Sequence, residues 1–421
     1  MTQFAPEVAA ALPGPDWLRS RRVGAAERFA TASLPTEAEE IWRYSRIGQF
    51  DLGGYTPATS LPMSGSHGMP PEIQAAMTAA GERSALVIVH NGRIVHTEVD
   101  PALGAKGVVV ADGEDLLGDV AASTVDAFTE LNTAFLPQGL CVKVPPGVEV
   151  ELPILVFHWI DGENAAVFPR TIVRAGPDSD VTIVEHQVSA DVAVFVDPVV
   201  ELEVGAAARV RYLNVQDLGP RVWQTAYQSS RVGHDATLRS SVVSLGGYYA
   251  RVRTDSQIIG KGGTSYLTAV YFADGERMHD FRTVQDHAAP STTSDLLFKG
   301  AVQDTGRSVY SGLIRVRKEA RGTNAFQTNR NLVLSEGAGA ESVPNLEIET
   351  DDVRCSHASA VGPIDDEHLY YLESRGVPPD VAERLIVLGF FGEVLDRLPT
   401  PSLVDTLRAT IAGRLASKGA P

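Results

Sequence analysis

Between residues 147 and 262 the chain repeats itself. Glycine-bearing turns stand at Gly147, Gly176, Gly205, Gly233 and Gly262, with gaps of 29, 29, 28 and 29 residues. Each turn opens onto a short apolar alternation: Val148-Glu149-Val150, Val181-Thr182-Ile183, Ala208-Arg209-Val210-Arg211-Tyr212, Thr237-Leu238-Arg239 and Tyr266-Leu267-Thr268. Alternation with period two reads as half-buried strand. Further glycines near the half-period (Gly219, Gly246, Gly275) divide the unit again. A fixed period of this length marks a repeat architecture, and strands this short make each unit one coil of a β-solenoid. The pattern continues less strictly through Pro290, Gly306, Gly322 and Gly337. A large antiparallel sandwich is the competing fold; it ranks second because β sequence accompanies every repeat.

The flanks differ from the middle. Residues 1 to about 50 read as helices, with Thr36-Glu37-Ala38-Glu39 as a capping box. Ile41, Trp42, Tyr44 and Ile47 would form an apolar helical face beyond it. Gly53 to Pro71 has linker composition, and Ile73 to Ala80 reads as a short helix stopped by Gly81. Leu86–His90, Asn91-Gly92 and Arg93–Val95 predict a hairpin on a type I′ turn. After His357 the pattern turns helical again, with Asp365 and Ser402 as N-caps, Gly376 as a stop, and a stripe of Leu403, Leu407, Ile411 and Leu415. The expected organisation is a helical part at 1–80 with a linker at 53–71, a β core at 81–350, and a C-terminal helical part at 351–421.

Charge and cysteine usage narrow the function. The 421 residues hold 36 basic and 53 acidic side chains, a net charge of −17. That surplus repels phosphate backbones and anionic lipid, so neither nucleic acid nor membrane is an expected partner. Two cysteines cannot build a disulfide framework. Met1 to Pro15 lacks an export-signal pattern, and the expected location is the cytoplasm.

Chemistry gathers in Pro344-Asn345-Leu346-Glu347-Ile348-Glu349-Thr350-Asp351-Asp352-Val353-Arg354-Cys355-Ser356-His357-Ala358. In extended backbone, Cys355 and His357 leave the same face. Thiolate and imidazole both suit iron. Two ligands do not close a metal site, so others must come from elsewhere; Glu393 and His287 are further contributors to consider. The bland alternative is a buried thiol beside a hydrogen-bonded histidine. Paired acids (Asp351 with Asp352, Asp365 with Asp366) raise a carbohydrate-enzyme reading. Neighbouring acids on a strand face opposite ways, however, and Asp365 and Asp366 suit a helix N-terminus. Gly260-Lys261-Gly262-Gly263-Thr264-Ser265 lacks the spacing of a phosphate loop and reads as a solenoid turn.

Several blocks together resemble the SufB/SufD family of iron–sulfur cluster assembly subunits. They are Glu40-Ile41-Trp42-Arg43-Tyr44, Asp286-His287-Ala288-Ala289-Pro290-Ser291-Thr292-Thr293-Ser294 and Gln327-Thr328-Asn329-Arg330-Asn331-Leu332-Val333-Leu334-Ser335. Pro344–Ile348, Asp351–His357 and Tyr371-Leu372-Glu373-Ser374-Arg375-Gly376 complete the set. The likeness is dense from about residue 205 to 398 and sparse before 85. SufB-like chains follow the cysteine with Glu-His-Glu-Ala; Ser356-His357-Ala358-Ser359 here favours the SufD branch. SufD-like chains often have Gly-Ala-Thr after the histidine, where this one has Ala358-Ser359-Ala360.

The resemblance implies a right-handed parallel β-helix between helical ends, acting as a non-catalytic scaffold in a SufBCD complex. It implies edge-to-edge pairing with SufB and docking of the ATPase SufC on the C-terminal helices; a homodimer of the isolated chain is left open. It implies a transient iron–sulfur cluster shared across the subunit interface, with His357 helping to hold or pass it. Cys355 stands where SufB carries its cysteine, and Glu393 matches a SufB acid by position in its helix. Reduced FAD is implied by kinship alone. Two other readings stand beside this one: a SufB-type homodimer with Cys355 as sulfur acceptor, and a β-helix carbohydrate-active enzyme.

Overall fold

The computed structural model describes residues 2–60, 70–112 and 125–416. The expected linker at 53–71 therefore falls partly, at 61–69, outside the described residues. Each coil gives one strand to each of two parallel stacks. One stack runs Gly139–Val144, Arg170–Ala175, Val199–Val204, Val222–Val232, Tyr249–Ile258, Met278–His287, Arg307–Val316 and Gly339–Ile348. The other runs Ile154–Ile160, Asp180–Ser189, Arg209–Asp217, Thr237–Ser244, Thr264–Ala273, Thr293–Val302, Thr323–Val333 and Val353–Gly362. The result is a β-solenoid of about eight turns.

Register keeps each inward row on itself, as where Ile258, His287, Val316 and Ile348 lie one above another. The expected hairpin pairs Ala85–His90 with Arg93–Val99 through Asn91 and Gly92, both at positive φ (47° and 81°), as a type I′ turn requires. It closes the first end of the second stack by pairing with Ile154–Ile160, and antiparallel Val109–Asp112 closes the first end of the other.

The glycine repeat resolves into two columns with different jobs. At Gly205 and Gly233 a Cβ would stand 2.7 Å from the carbonyl oxygen of Ala175 and 2.9 Å from that of Val204, so only hydrogen lets the coils close up. The next member of that column is Gly260, pressed against His234, and not Gly262. Gly262 belongs to a second column of left-handed residues: Gly147, Asp178, Ala207, Asp235, Gly262, Ser291 and Gly322. Their amides donate upward, for example Asp178 to Ala206 (2.8 Å), Ala207 to His234 (2.7 Å) and Ser291 to Arg321 (2.7 Å). This backbone ladder stitches one corner of the rod.

Helices cover both outer faces. Pro71–Ala80, Pro379–Leu395 and Pro401–Ala416 bury their apolar sides, including the stripe Leu403, Leu407, Ile411 and Leu415, on the second stack around Val184, Leu213, Val243, Val270 and Leu297. The N-terminal segments and helix Ala127–Phe135 pack on the first stack around Phe168, Phe195, Trp223 and Tyr249. Asp365 caps its helix by accepting from the amide of Glu367 (2.8 Å), and Gly376 is left-handed at φ 85°.

Three sequence expectations change. The C-terminal helices begin at Asp366, not 351, because Val353–Gly362 hydrogen-bonds as a further solenoid strand. Ser402 does not cap; its hydroxyl donates to the carbonyl of Ala80 (3.0 Å) and ties two helices together. No helix follows Thr36, although Glu39 does reach back to its amide (2.9 Å). The chain forms a short 3-10 turn, Glu40–Trp42, then passes through Tyr44 at φ 65°. The reason is tertiary. The carbonyls of Ile41 and Arg43 are taken by Arg251 (2.8 Å) and Arg282 (2.7 Å), while Trp42 is buried beneath the Arg251 guanidinium. Both arginines bind the buried carboxylate of Asp280, whose pKa they hold down against desolvation.

Candidate functional site

The site is the far end of the rod, where the last coil has no coil above it. Gly339–Ile348 and Val353–Gly362 are the terminal strands of their stacks. Leu346, Ile348 and Val361 occupy inward rows, above Ile314, Val316 and Asn331, yet are 38%, 40% and 44% exposed. Across the same mouth the hydroxyls of Ser342 and Ser359 meet at 2.8 Å.

Cys355 and His357 belong to this unfinished interior. Period two puts both on the inward row, above Ala325 and Gln327. Cys355 is half-buried against Ile314, Val316, Ala320 and Ala325. Burial raises its thiol pKa, with the hydrogen bond from the Ala325 backbone opposing. Ligation by Cys355 must therefore expel a proton. His357 is exposed at the mouth. Sequence spacing and structure agree that these two share one face.

Glu393 is not brought to them. It lies on helix Pro379–Leu395 over the outer face of the sheet, bonded to Lys299 (2.7 Å) and Arg397 (3.1 Å). The Lys299 hydrogen bond, above all, holds its carboxyl below the usual range. Lys299 points outward between inward-facing Phe298 and Gly300, so the strand itself separates Glu393 from the inward row. His287 is an interior residue: Nδ1 lies 2.8 Å from Thr292 Oγ1 and Nε2 2.9 Å from Ser294 Oγ. Burial lowers its pKa to about 4, so it is a neutral core histidine with both nitrogens engaged. Asp352 sits in a corner, where its carbonyl accepts from Gly322 (2.7 Å). Gly260–Ser265 is a solenoid corner, as the sequence suggested.

Among the described residues no three His, Cys, Asp or Glu side chains converge on a metal position. Cys355 and His357 thus offer a thiol and an imidazole to a centre completed from outside. In the groove of about 200 Å³ on the outer face of the first stack, neither arginine is free to take a flavin's phosphates: Arg253 and Arg315 are already paired to Asp255 and Glu347. What the sequence reading passed over is Gln327 beneath His357; its signal was the alternation Gln327-x-Asn329-x-Asn331, which directs three carboxamides inward.

The unfinished end of the solenoid thus presents a thiol, an imidazole and two open strand edges, and comparison with known proteins gives the class of the chain. Residues 158–390, more than half of the chain, match the family described as SUF system FeS cluster assembly, SufBD core domain. A SufBD family iron–sulfur cluster assembly protein of Mycobacterium tuberculosis is 34% identical over 395 residues, covering 91% of this chain and 89% of that one. The chain belongs to the SufBD family of iron–sulfur cluster assembly proteins. Within it, the chain is similar to SufD of Escherichia coli (28% over 394 residues, 92% and 91% of the two chains). SufD of Bacillus subtilis is 27% identical over 417 residues, 94% of each chain.

Proposed function

We propose that the chain is a SufD-like scaffold subunit that receives and passes a nascent iron–sulfur cluster at the open end of its solenoid. The observation that supports this reading most is the last coil, with two strands each open along one edge and inward positions exposed at Leu346, Ile348, His357 and Val361 beside half-buried Cys355. Exposed parallel edges are templates for another sheet, and the natural occupant is the corresponding edge of SufB. Cluster iron would take His357, with Cys355 as a second donor after losing its proton, and the remaining ligands would come from the partner. The iron and sulfide are cargo.

The ATPase SufC would dock on the C-terminal helices. Helix Asp366–Ser374 buries none of its residues, and Tyr370, Tyr371 and Leu385 are 74%, 58% and 50% exposed. Nucleotide-dependent binding there would move the helices relative to the rod and open the cluster interface, given different affinities in the two nucleotide states. Glu393, tied to Lys299, would act in that coupling.

The test is cluster transfer from the complex assembled with SufB and SufC. His357→Ala is expected to fold and assemble normally but to lose at least tenfold in transfer to an acceptor apoprotein. Cys355→Ser is expected to lose less. Transfer at the native rate by His357→Ala removes the imidazole from the mechanism. A cluster built on a homodimer of this chain alone, dependent on Cys355, would favour a SufB-type scaffold instead.

A further inference from the structure

The coil beneath the open end carries an unpaired group. Strand Thr323–Val333 turns Gln327, Asn329 and Asn331 inward, under His357, Ser359 and Val361. Two of these carboxamides are fully used. Asn329 Nδ2 donates to the Tyr271 hydroxyl (2.9 Å), Asn331 Nδ2 to Asn329 Oδ1 (2.8 Å), and Tyr271 donates to Asn331 Oδ1 (2.7 Å). Gln327, only 1% exposed, has neither Oε1 nor Nε2 paired. A buried carboxamide without partners destabilises a fold, and leucine would fill the same volume without that cost.

The surroundings make room for this amide. On the facing strand, a Cβ at Gly312 would stand 2.1 Å from the Tyr310 hydroxyl oxygen and 2.8 Å from Gln327 Nε2, so its absence leaves space for both groups. Above Gly312 lies Pro344, which has no amide hydrogen to offer. Above Gln327 lies His357, on a strand about 4.8 Å away. The exposed imidazole can turn toward the amide or away from it.

We propose that Gln327 is a positioning residue for the His357 site. Its Oε1 accepts the N–H of one ring nitrogen, fixing the tautomer and aiming the other nitrogen at a metal ion across the mouth of the coil. Metal-bound imidazoles commonly donate their second N–H in this way. The inference rests on the reading of His357 as a ligand and adds the residue that orients it.

Anaerobic titration of the full-length chain with Co²⁺, followed by its visible absorption bands, separates the two claims. Wild type is expected to show a band that His357→Ala loses. Gln327→Leu is expected to bind Co²⁺ 10- to 100-fold more weakly, with a thermal midpoint equal to or above wild type. Gln327→Glu, which keeps an acceptor oxygen, is expected to restore binding. If Gln327→Leu does not fold, Gln327→Met removes the amide with a more adaptable chain and is read in the same way. Native Co²⁺ affinity and an unchanged spectrum in the leucine or methionine variant, with His357→Ala still deficient, overturn the role of Gln327 alone. A band that survives His357→Ala, or is missing from wild type, overturns the ligand reading and this inference with it.

Discussion

Histidine illustrates how strongly position decides chemistry in this chain. His279 and His287 are buried and His186 partly so, and desolvation, the leading cause in each, lowers the pKa of His186, His279 and His287 to about 4, about 3 and about 4. An unfolded histidine titrates near 6.5. As pH falls below that value the unfolded chain takes up protons that the folded one refuses. Stability is therefore full above about pH 6.5 and declines toward pH 4, by up to ~1.4 kcal/mol per unit for each such group. Urea unfolding at pH 7, 6, 5 and 4.5 is expected to show a falling midpoint, and His287→Gln to make the fall shallower. A midpoint profile identical in His287→Gln and wild type would show that His287 already binds its proton in the fold. The Cys355–His357 pair was legible because period two needs no partner to interpret it. The idle amide of Gln327 was not, since it follows from register across thirty residues. That Glu393 lies apart from this pair was not legible, because position along a helix does not say which face of a sheet the helix covers.

At the scale of the element, the corner of a coil is where sequence and geometry meet most directly. Ala207 holds a left-handed conformation that costs an L-residue about 1–2 kcal/mol. Ala207→Gly is expected to recover part of that, raising stability by ~1 kcal/mol after the entropy of the freer unfolded chain. Gly205→Ala, two residues earlier, drives a methyl into the Ala175 carbonyl and is expected to destabilise by about 1–3 kcal/mol. Opposite signs for these exchanges in chemical denaturation would confirm the two columns; equal signs would refute them. The 29-residue rhythm disclosed the solenoid because stacking imposes it on every coil. It could not show that Gly260, not Gly262, is the close-packed member. Nor could Glu40–Tyr44 disclose its own fate. Local propensity there favours helix, and what overrides it is a pair of guanidiniums on distant strands that need the carbonyls of Ile41 and Arg43.

The whole molecule is a rod with unlike ends. One is finished by antiparallel strands, the outermost of which carries Arg93, His96 and Glu98; the other stops in the middle of its own pattern. Sedimentation of the purified chain alone, and mixed with SufB, is expected to reach a ceiling of two β-helices even at high concentration. Species that lengthen with concentration would contradict this. The physical content lies in the asymmetry. Parallel sheets with two bare margins could add molecule after molecule, as fibrils do. Here one margin is spent on a charged hairpin, so joining ends after a single partner, and the seam where iron and sulfide would meet can occur once per pair.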